Sequence, residues 1–357
     1  MSLVDEPALG PRVDHESGGV VFTTDATGGI PTRVWYHLRD FGDDPTFQRR
    51  GERWEARVPA PPVDRIEYLI VRRDRTGVVA LALDPAAPAR STGVFGDHSL
   101  LELPGYRAPS WASGDAWWTW QQRIVRWPTN RLGVEIAGTL MCPAGVADGE
   151  PVPLLVVHDG SEYARLADLL DYLGWLAEQR PETRCRVLLL DPVNRNQSYA
   201  ADAAYTDTLV RVALPEACRL APTQTPLVAL GASLGALALV HAEASYPGTF
   251  GGILAQSGSF FVPRYDAHER RFAQFDQVVR ATRALHAEPE RLAGCTLRFT
   301  AGLGEENLDN NRALAERIAA AGVDATLTIG RDGHNFTAWR DLLDPSLGDL
   351  LAKSAAA

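Results

Sequence analysis

The chain has 357 residues, 45% of them hydrophobic, enough to bury the core of one large domain or of two ordinary ones. Acidic residues outnumber basic ones 45 to 35, a formal charge of −10, which disfavours a broad nucleic-acid surface but allows a local basic pocket. No apolar stretch reaches membrane-span length, and the opening MSLVDEPALGPRVDHESGG lacks the apolar core of a secretory signal, so the sequence predicts a cytoplasmic protein with no membrane partner.

Residues 1–110 read as a β-sandwich with its linker. GGVVFTTDA, PTRVWYHL, RWEARVPA, RIEYLIVRR and GVVALALDP are short β-branched and aromatic runs punctuated by Gly, Pro and Asp. Residues 84–118, rich in Pro, Gly and Ser, read as an ordered linker whose Leu100, Leu101, Leu103 and tryptophans need a surface to pack on. The Trp-rich segment 111–127 predicts a packed interface between the two domains.

Residues 111–357 change character. A hairpin-like stretch, WQQRIVRWPTNRLGVEIAGTLMCPAG, comes first. Apolar runs of strand length follow at 152–160, 185–192, 225–233, 251–258, 296–304 and 325–333. Helical patterns separate them at 163–179, 203–221, 234–247 and 310–322. Continuous apolar strands alternating with amphipathic helices predict a mostly parallel sheet covered on both faces. Cys142, Cys185, Cys218 and Cys295 have neither metal-site nor redox spacing and read as free thiols, and no metal site or cofactor is expected.

In such sheets chemistry gathers at the C-terminal strand ends. After TPLVAL comes Gly231-Ala232-Ser233-Leu234-Gly235 and then a helix. A G-x-S-x-G placed strand–turn–helix is the nucleophile elbow of α/β-hydrolases. The serine sits on a strained turn, the glycines let strand and helix pass closely, and the Leu234 N–H is one candidate oxyanion donor. A serine hydroxyl needs an adjacent base, expected in the chain order Ser, acid, His. His268 and His286 lie in charged helical stretches, whereas His334 follows the last apolar run and is the expected base. The acid belongs after the preceding strand, where Glu305 is nearest and Glu306 and Asp309 are alternatives. These carboxylates also suit the N-terminus of the following helix. The loop HDGSEYA, with Gly160 and the Ser161 N–H, is the expected source of the second oxyanion donor.

These segments together resemble the enterochelin esterase family. PLLVVHDGSEYARL is similar to that family's strand ending in Asp-Gly, and DPVNRNQSYAADAAYTDTLVRVALPEA to its arginine-bearing loop. GASLGALALVHAEASYPGTFGGILAQSGSFF resembles its elbow, helix and Gln-Ser-Gly-Ser-aromatic loop. Gly302 and Glu305 fit a Gly-x-x-Glu pattern, and GRDGHNFTAWRDLL resembles its histidine motif. Three positions depart from the family: Ser198 replaces a glutamate, Asn335 an aspartate after the histidine, and Phe260-Phe261 a tryptophan-bearing pair. The resemblance implies an α/β-hydrolase that opens the trilactone of a ferric catecholate siderophore, iron entering only as part of the substrate. Such a substrate carries negative charge and flat rings, which implies cations and aromatic walls: Arg195 first, then Arg264 with Arg270 and Arg271 as a cap, and Phe260, Phe261 and Tyr163. The same machinery suits a general or feruloyl-type carboxylesterase or an acyltransferase. A non-catalytic siderophore or glycan binder is disfavoured by Ser233, Glu305 and His334 occurring in the right order.

Overall fold

A computed structural model describes the chain except for residues 1–7, 15, 37, 39–44, 60, 95, 114–117, 128–132 and 357. The start of the N-terminal segment, part of the Trp-rich stretch and the hairpin turn therefore lie outside the described residues. The chain divides into two compact units. The first takes residues 1–107 with 303–305 and 331–335, and the second takes 108–302, 306–330 and 336–357.

The first unit runs β1 (Gly10–Val13), β2 (Val20–Thr24), β3 (Ile30–Tyr36), β4 (Gln48–Arg50), β5 (Arg53–Val58), β6 (Arg65–Arg73), β7 (Val79–Ala82), β8 (Ala89–Gly93) and β9 (Gly96–Glu102). One sheet has the order β1-β2-β5-β4; the other has β3-β6-β9-β8, with β7 also on β6. Period-2 alternation turns Ile66, Tyr68 and Ile70 of β6 to one face, where they share a core with Val20, Phe22, Ala56 and Val58 of the first sheet. Two inner faces closing on one core make a sandwich. The linker reading of 84–118 needs correction. Residues 89–93 and 96–102 pair as an antiparallel hairpin that extends the second sheet and buries Leu100 and Leu101. Its polar strand ARSTG hides the β pattern.

The second unit contains β10 (Trp120–Trp127), β11 (Ile136–Pro143), β12 (Val152–His158), β13 (Arg186–Pro192), β14 (Thr223–Ala232), β15 (Phe250–Gln256), β16 (Thr296–Gly302) and β17 (Ala325–Gly330). They form one sheet of order β10-β11-β13-β12-β14-β15-β16-β17. The β10–β11 and β11–β13 pairs are antiparallel and the rest parallel. Both faces are covered, as alternating residues show: Leu154 and Val156, Leu188 and Leu190 enter one core, while Leu155 and Val157, Val187 and Leu189 enter the other. Two expected helices are interrupted. The 163–179 pattern splits at Asp168, whose backbone is left-handed (φ 46°). The 203–221 pattern opens into a π turn at Leu209–Ala213, just before Pro215, which has no N–H to continue the ladder. All four cysteines are unpaired, Cys185 and Cys295 buried. Among the described residues no helix is long and apolar enough to cross a membrane.

Candidate active site

Ser233 lies between the last residue of β14 and the helix Leu234–Ser245, with φ 55° and ψ −125°. A non-glycine residue rarely holds a positive φ, and the strain persists only where the surroundings fix it. Here they do: the Ser233 N–H donates to the Gln256 carbonyl (3.0 Å) and its carbonyl accepts from the Ser259 N–H (3.1 Å). The two glycines are steric necessities. A Cβ on Gly231 would stand 2.8 Å from the carbonyl carbon of Gly235, and one on Gly235 would stand 3.1 Å from His158 Cβ. Ser233 is half-buried, and its Oγ lies 3.1 Å from Ser259 Oγ.

The loop after β15 that delivers Ser259 is held by two buried asparagines, Asn307 and Asn311, to which the sequence alone assigns no role. Ser257 also has a positive φ of 49°. Asn307 Nδ2 donates to its carbonyl (2.9 Å), and Trp339 Nε1 to its hydroxyl (2.8 Å). Buried Asn311 donates to the Gly258 carbonyl (2.8 Å) and accepts from the Gly258 N–H (3.0 Å). An amide that does both fixes a loop more tightly than an apolar residue can.

The end of β12 sits against the elbow. His158 is fully buried between two partners, Gly235 O at 3.1 Å from Nδ1 and the Tyr205 hydroxyl at 3.0 Å from Nε2, and it stacks on Tyr199 at 4.3 Å. Asp159, left-handed at φ 51°, precedes Gly160, whose Cβ would meet the Leu189 Cα at 2.5 Å. The helices that begin at Gly160 and Leu234 therefore start side by side, and their first N–H groups have no intrahelical acceptor. Ser161 is otherwise engaged: its N–H donates to Asp191 Oδ1 (3.0 Å) and its hydroxyl bonds the other carboxylate oxygen, so it is not an oxyanion donor.

The expected acid and base lie in the first unit, in loops that continue β16 and β17. Gly302 pairs with Gly330 across those strands, so both loops leave the sheet level with each other, at the C-terminal edge that also carries Ser233. Glu305 is fully buried, and its Oε2 lies 3.1 Å from His334 Nδ1. That contact selects Glu305 over Glu306 and Asp309 as the histidine's carboxylate. It assigns the proton to Nδ1 and leaves Nε2 as the basic nitrogen.

The expected substrate contacts fare differently. Arg195 forks Asp159 through Nε (2.8 Å) and Nη2 (2.7 Å) and lies 5.7 Å from the Tyr199 ring centre, so it is a brace for the 158–160 turn. Tyr163 and Phe260 are fully buried and are core residues rather than walls: the tyrosine hydroxyl donates to Gln256 (2.8 Å), and Phe260 packs edge-on to Phe299. Phe261 is also buried, stacked on Phe275. Arg264 is exposed over Tyr265 and lines an open cleft of about 480 Å³ with His286, Asp309, Arg312, Glu316 and Arg317.

Comparison with known proteins agrees with this fold. An iron(III) enterobactin esterase of Dickeya dadantii (strain 3937) is 29% identical over 210 residues, 55% of this chain and 47% of the relative. The chain spans about half the length of the curated relatives it matches. The ferric enterobactin esterase of Salmonella typhimurium superposes with a TM-score of 0.74 at 19% identity, over 97% of this chain and 96% of that one. The enterobactin esterase of Shigella flexneri, solved in the presence of enterobactin, superposes at 0.71 with 20% identity and the same coverage. At such identities the likeness establishes the fold, an α/β-hydrolase preceded by a β-sandwich. Residues 129–350, more than half of the chain, match the Esterase family ("Putative esterase"), and the chain belongs to that family.

Proposed function

We propose that this protein is a cytoplasmic serine esterase that hydrolyses the trilactone of a ferric catecholate siderophore and so releases its iron. The observation that carries the reaction is the strained backbone of Ser233 at the head of its helix, on the sheet edge from which the Glu305–His334 loops leave. The substrate class is supported by relatives named as iron(III) enterobactin esterases.

In this mechanism His334 Nε2 takes the Ser233 proton as Oγ bonds to the ester carbon. The resulting oxyanion is met by the Leu234 and Gly160 N–H groups, fixed donors at two helix starts. His334 then gives its proton to the departing alkoxide, takes one from water as the hydroxide bonds to the acyl carbon, and returns it to Ser233 Oγ as the acyl–serine bond breaks. Glu305 keeps the imidazole in the right tautomer and stabilises imidazolium. No cofactor is required, since iron is cargo. Arg264, exposed over Tyr265, is the proposed cation for the anionic substrate.

The direct experiment is Ser233→Ala with mass-spectrometric analysis of products from a ferric and an iron-free trilactone. Loss of hydrolysis by several powers of ten supports the reading. Undiminished hydrolysis excludes it, and turnover of feruloyl esters with none of trilactones would reassign the substrate.

A further inference from the structure

We propose that the N-terminal β unit is part of the catalytic apparatus, with Arg65 as the positioning residue that holds the loop carrying His334. The inference rests on the assignment of His334 as the base, and concerns residues of one compact unit. Arg65, the first residue of β6, is 2% exposed. Its Nε donates to Asp332 Oδ2 at 2.7 Å and its Nη2 to Asn335 Oδ1 at 3.1 Å, so its two acceptors bracket His334 in the chain. The Tyr106 ring lies 5.3 Å from the guanidinium carbon.

Asp332 is a hub. Its second oxygen accepts from the Gly333 N–H (2.7 Å) and from Asn335 Nδ2 (3.1 Å). Its carbonyl accepts from the N–H of Gly304, the residue before Glu305, at 3.0 Å. One residue back, the Arg331 carbonyl accepts from the Asp64 N–H (2.7 Å), and Arg331 Nε donates to the Asp64 carboxylate (2.9 Å). Arg331, Asp332, Gly333 and Asn335 are thus each tied down, and His334 is left to meet Glu305. The acid loop is seated by the same unit. A Cβ on Gly304 would stand 2.8 Å from Leu38 Cδ2 and 2.9 Å from Val63 Cγ1.

A buried Arg–Asp pair is a weak stability device, because desolvation offsets much of the attraction. Its gain is geometric. A planar fork with two acceptors fixes direction as well as distance, which a lysine cannot do. Asn335 suits the arrangement because an amide both accepts from Arg65 and donates to Asp332, whereas an ionised carboxylate only accepts.

The test measures kcat, KM and the thermal unfolding midpoint of the full chain on a neutral aryl ester. Three variants are compared: Arg65→Lys, Asn335→Ala and the double variant Arg65→Met/Asp332→Asn. The double variant removes the Arg65 and Asp332 charges together; Glu67, 3.8 Å from Arg65, loses its cation but keeps the Ser91 hydroxyl as a donor. Its kcat is expected to fall about 100-fold, as for a misplaced reacting group, with KM within about twofold. Asn335→Ala leaves the ion pair whole and is expected to lose about tenfold in kcat, and Arg65→Lys to fall between wild type and the double variant. A purely structural role would lower the unfolding midpoint and leave kcat of the folded enzyme unchanged. Wild-type kcat in folded double variant and in Asn335→Ala overturns the proposal, and Asn335→Ala alone decides if the double variant does not fold. A wild-type chain with no Ser233-dependent turnover would instead defeat the functional reading, and this inference with it.

Discussion

The imidazole of His158 bonds the carbonyl oxygen of Gly235, 3.1 Å from Nδ1, and so links the end of β12 to the first turn of the elbow helix. A carbonyl only accepts, so Nδ1 carries the proton, and Nε2 accepts from the Tyr205 hydroxyl at 3.0 Å. The ring is neutral with both nitrogens used. Burial is the main reason its pKa is pushed down to about 3, with the nearby Arg195 charge acting in the same direction and the Gly235 bond opposing. In the unfolded chain the group titrates near its ordinary value of about 6.5.

The sign of the resulting pH dependence follows. Between about pH 6.5 and 3 the unfolded chain binds a proton that the folded chain refuses, so this contribution to stability is complete above pH 6.5 and is lost as pH falls. One proton corresponds to a slope of about 1.4 kcal/mol per pH unit within that window. Carboxylates and the other depressed histidines, His241 and His286, add slopes of their own. The informative quantity is therefore the difference between wild type and His158→Gln in urea unfolding from pH 7.5 to 5. The variant is expected to be less stable at pH 7.5 and to lose less on acidification. Parallel curves would show that His158 is not held neutral.

Arg195 gives a second prediction, opposite to the one its sequence context suggests. With its guanidinium committed to Asp159, Arg195→Met acts first on the turn that presents the Gly160 N–H. Hydrolysis of a neutral aryl ester and of a ferric trilactone should fall by similar factors. Stability should also drop, toward the lower end of the about 3–5 kcal/mol typical of a broken buried pair, because the arginine is 38% exposed. Measuring kcat/KM on both substrates decides: a loss confined to the anionic substrate would place Arg195 in substrate binding.

Whether a residue's role is legible in the sequence depends on whether it is set by position along one element or by what another element brings. Ser233 belongs to the first kind, since G-x-S-x-G after an apolar run defines both its turn and its surroundings. The eight-stranded sheet is legible for the same reason: Leu154 to Val157 and Val187 to Leu190 are apolar at every position, which only a sheet covered on both faces explains. Glu305 is legible as the nearest of three carboxylates after its strand, and the His334 contact singles it out from Glu306 and Asp309. His158, Asn307, Asn311 and Arg65 are illegible because their partners come from distant segments, and nothing in VVHDG, NLDNN or DRIEY announces them. Strand β8 escapes detection because ARSTG is polar along most of its length and owes its conformation to β9.

The elbow glycines separate two degrees of crowding. Gly231→Ala places a methyl within 3 Å of the Gly235 backbone, which cannot give way without moving Ser233. Gly235→Ala meets the His158 side chain at 3.1 Å and Asp159 Oδ2 at 3.4 Å, a tight fit that small side-chain shifts relieve. Overpacking of the first kind costs about 1–3 kcal/mol. Gly231→Ala is therefore expected to be the less stable variant in urea and the slower to react with a fluorophosphonate at Ser233. The reverse order in either measurement would contradict the packing described for the turn.

Glu305→Gln isolates the charge of the acid. The glutamine occupies nearly the same buried volume, and its amide nitrogen can donate to His334 Nδ1, which would drive the ring proton to Nε2. The base would then face the serine already protonated and unable to accept. Removing the equivalent carboxylate charge from a Ser–His–Asp triad costs about 10⁴-fold in kcat, and a loss of about 10³–10⁴-fold at neutral pH is expected here with little change in KM. Glu306→Gln, one residue beyond the carboxylate that meets His334 Nδ1, should stay within a few-fold of wild type. Steady-state kinetics of the pair on one aryl ester settle the choice. If Glu306→Gln proved the slower enzyme, the carboxylate contact at His334 would have to exchange between the two residues during turnover.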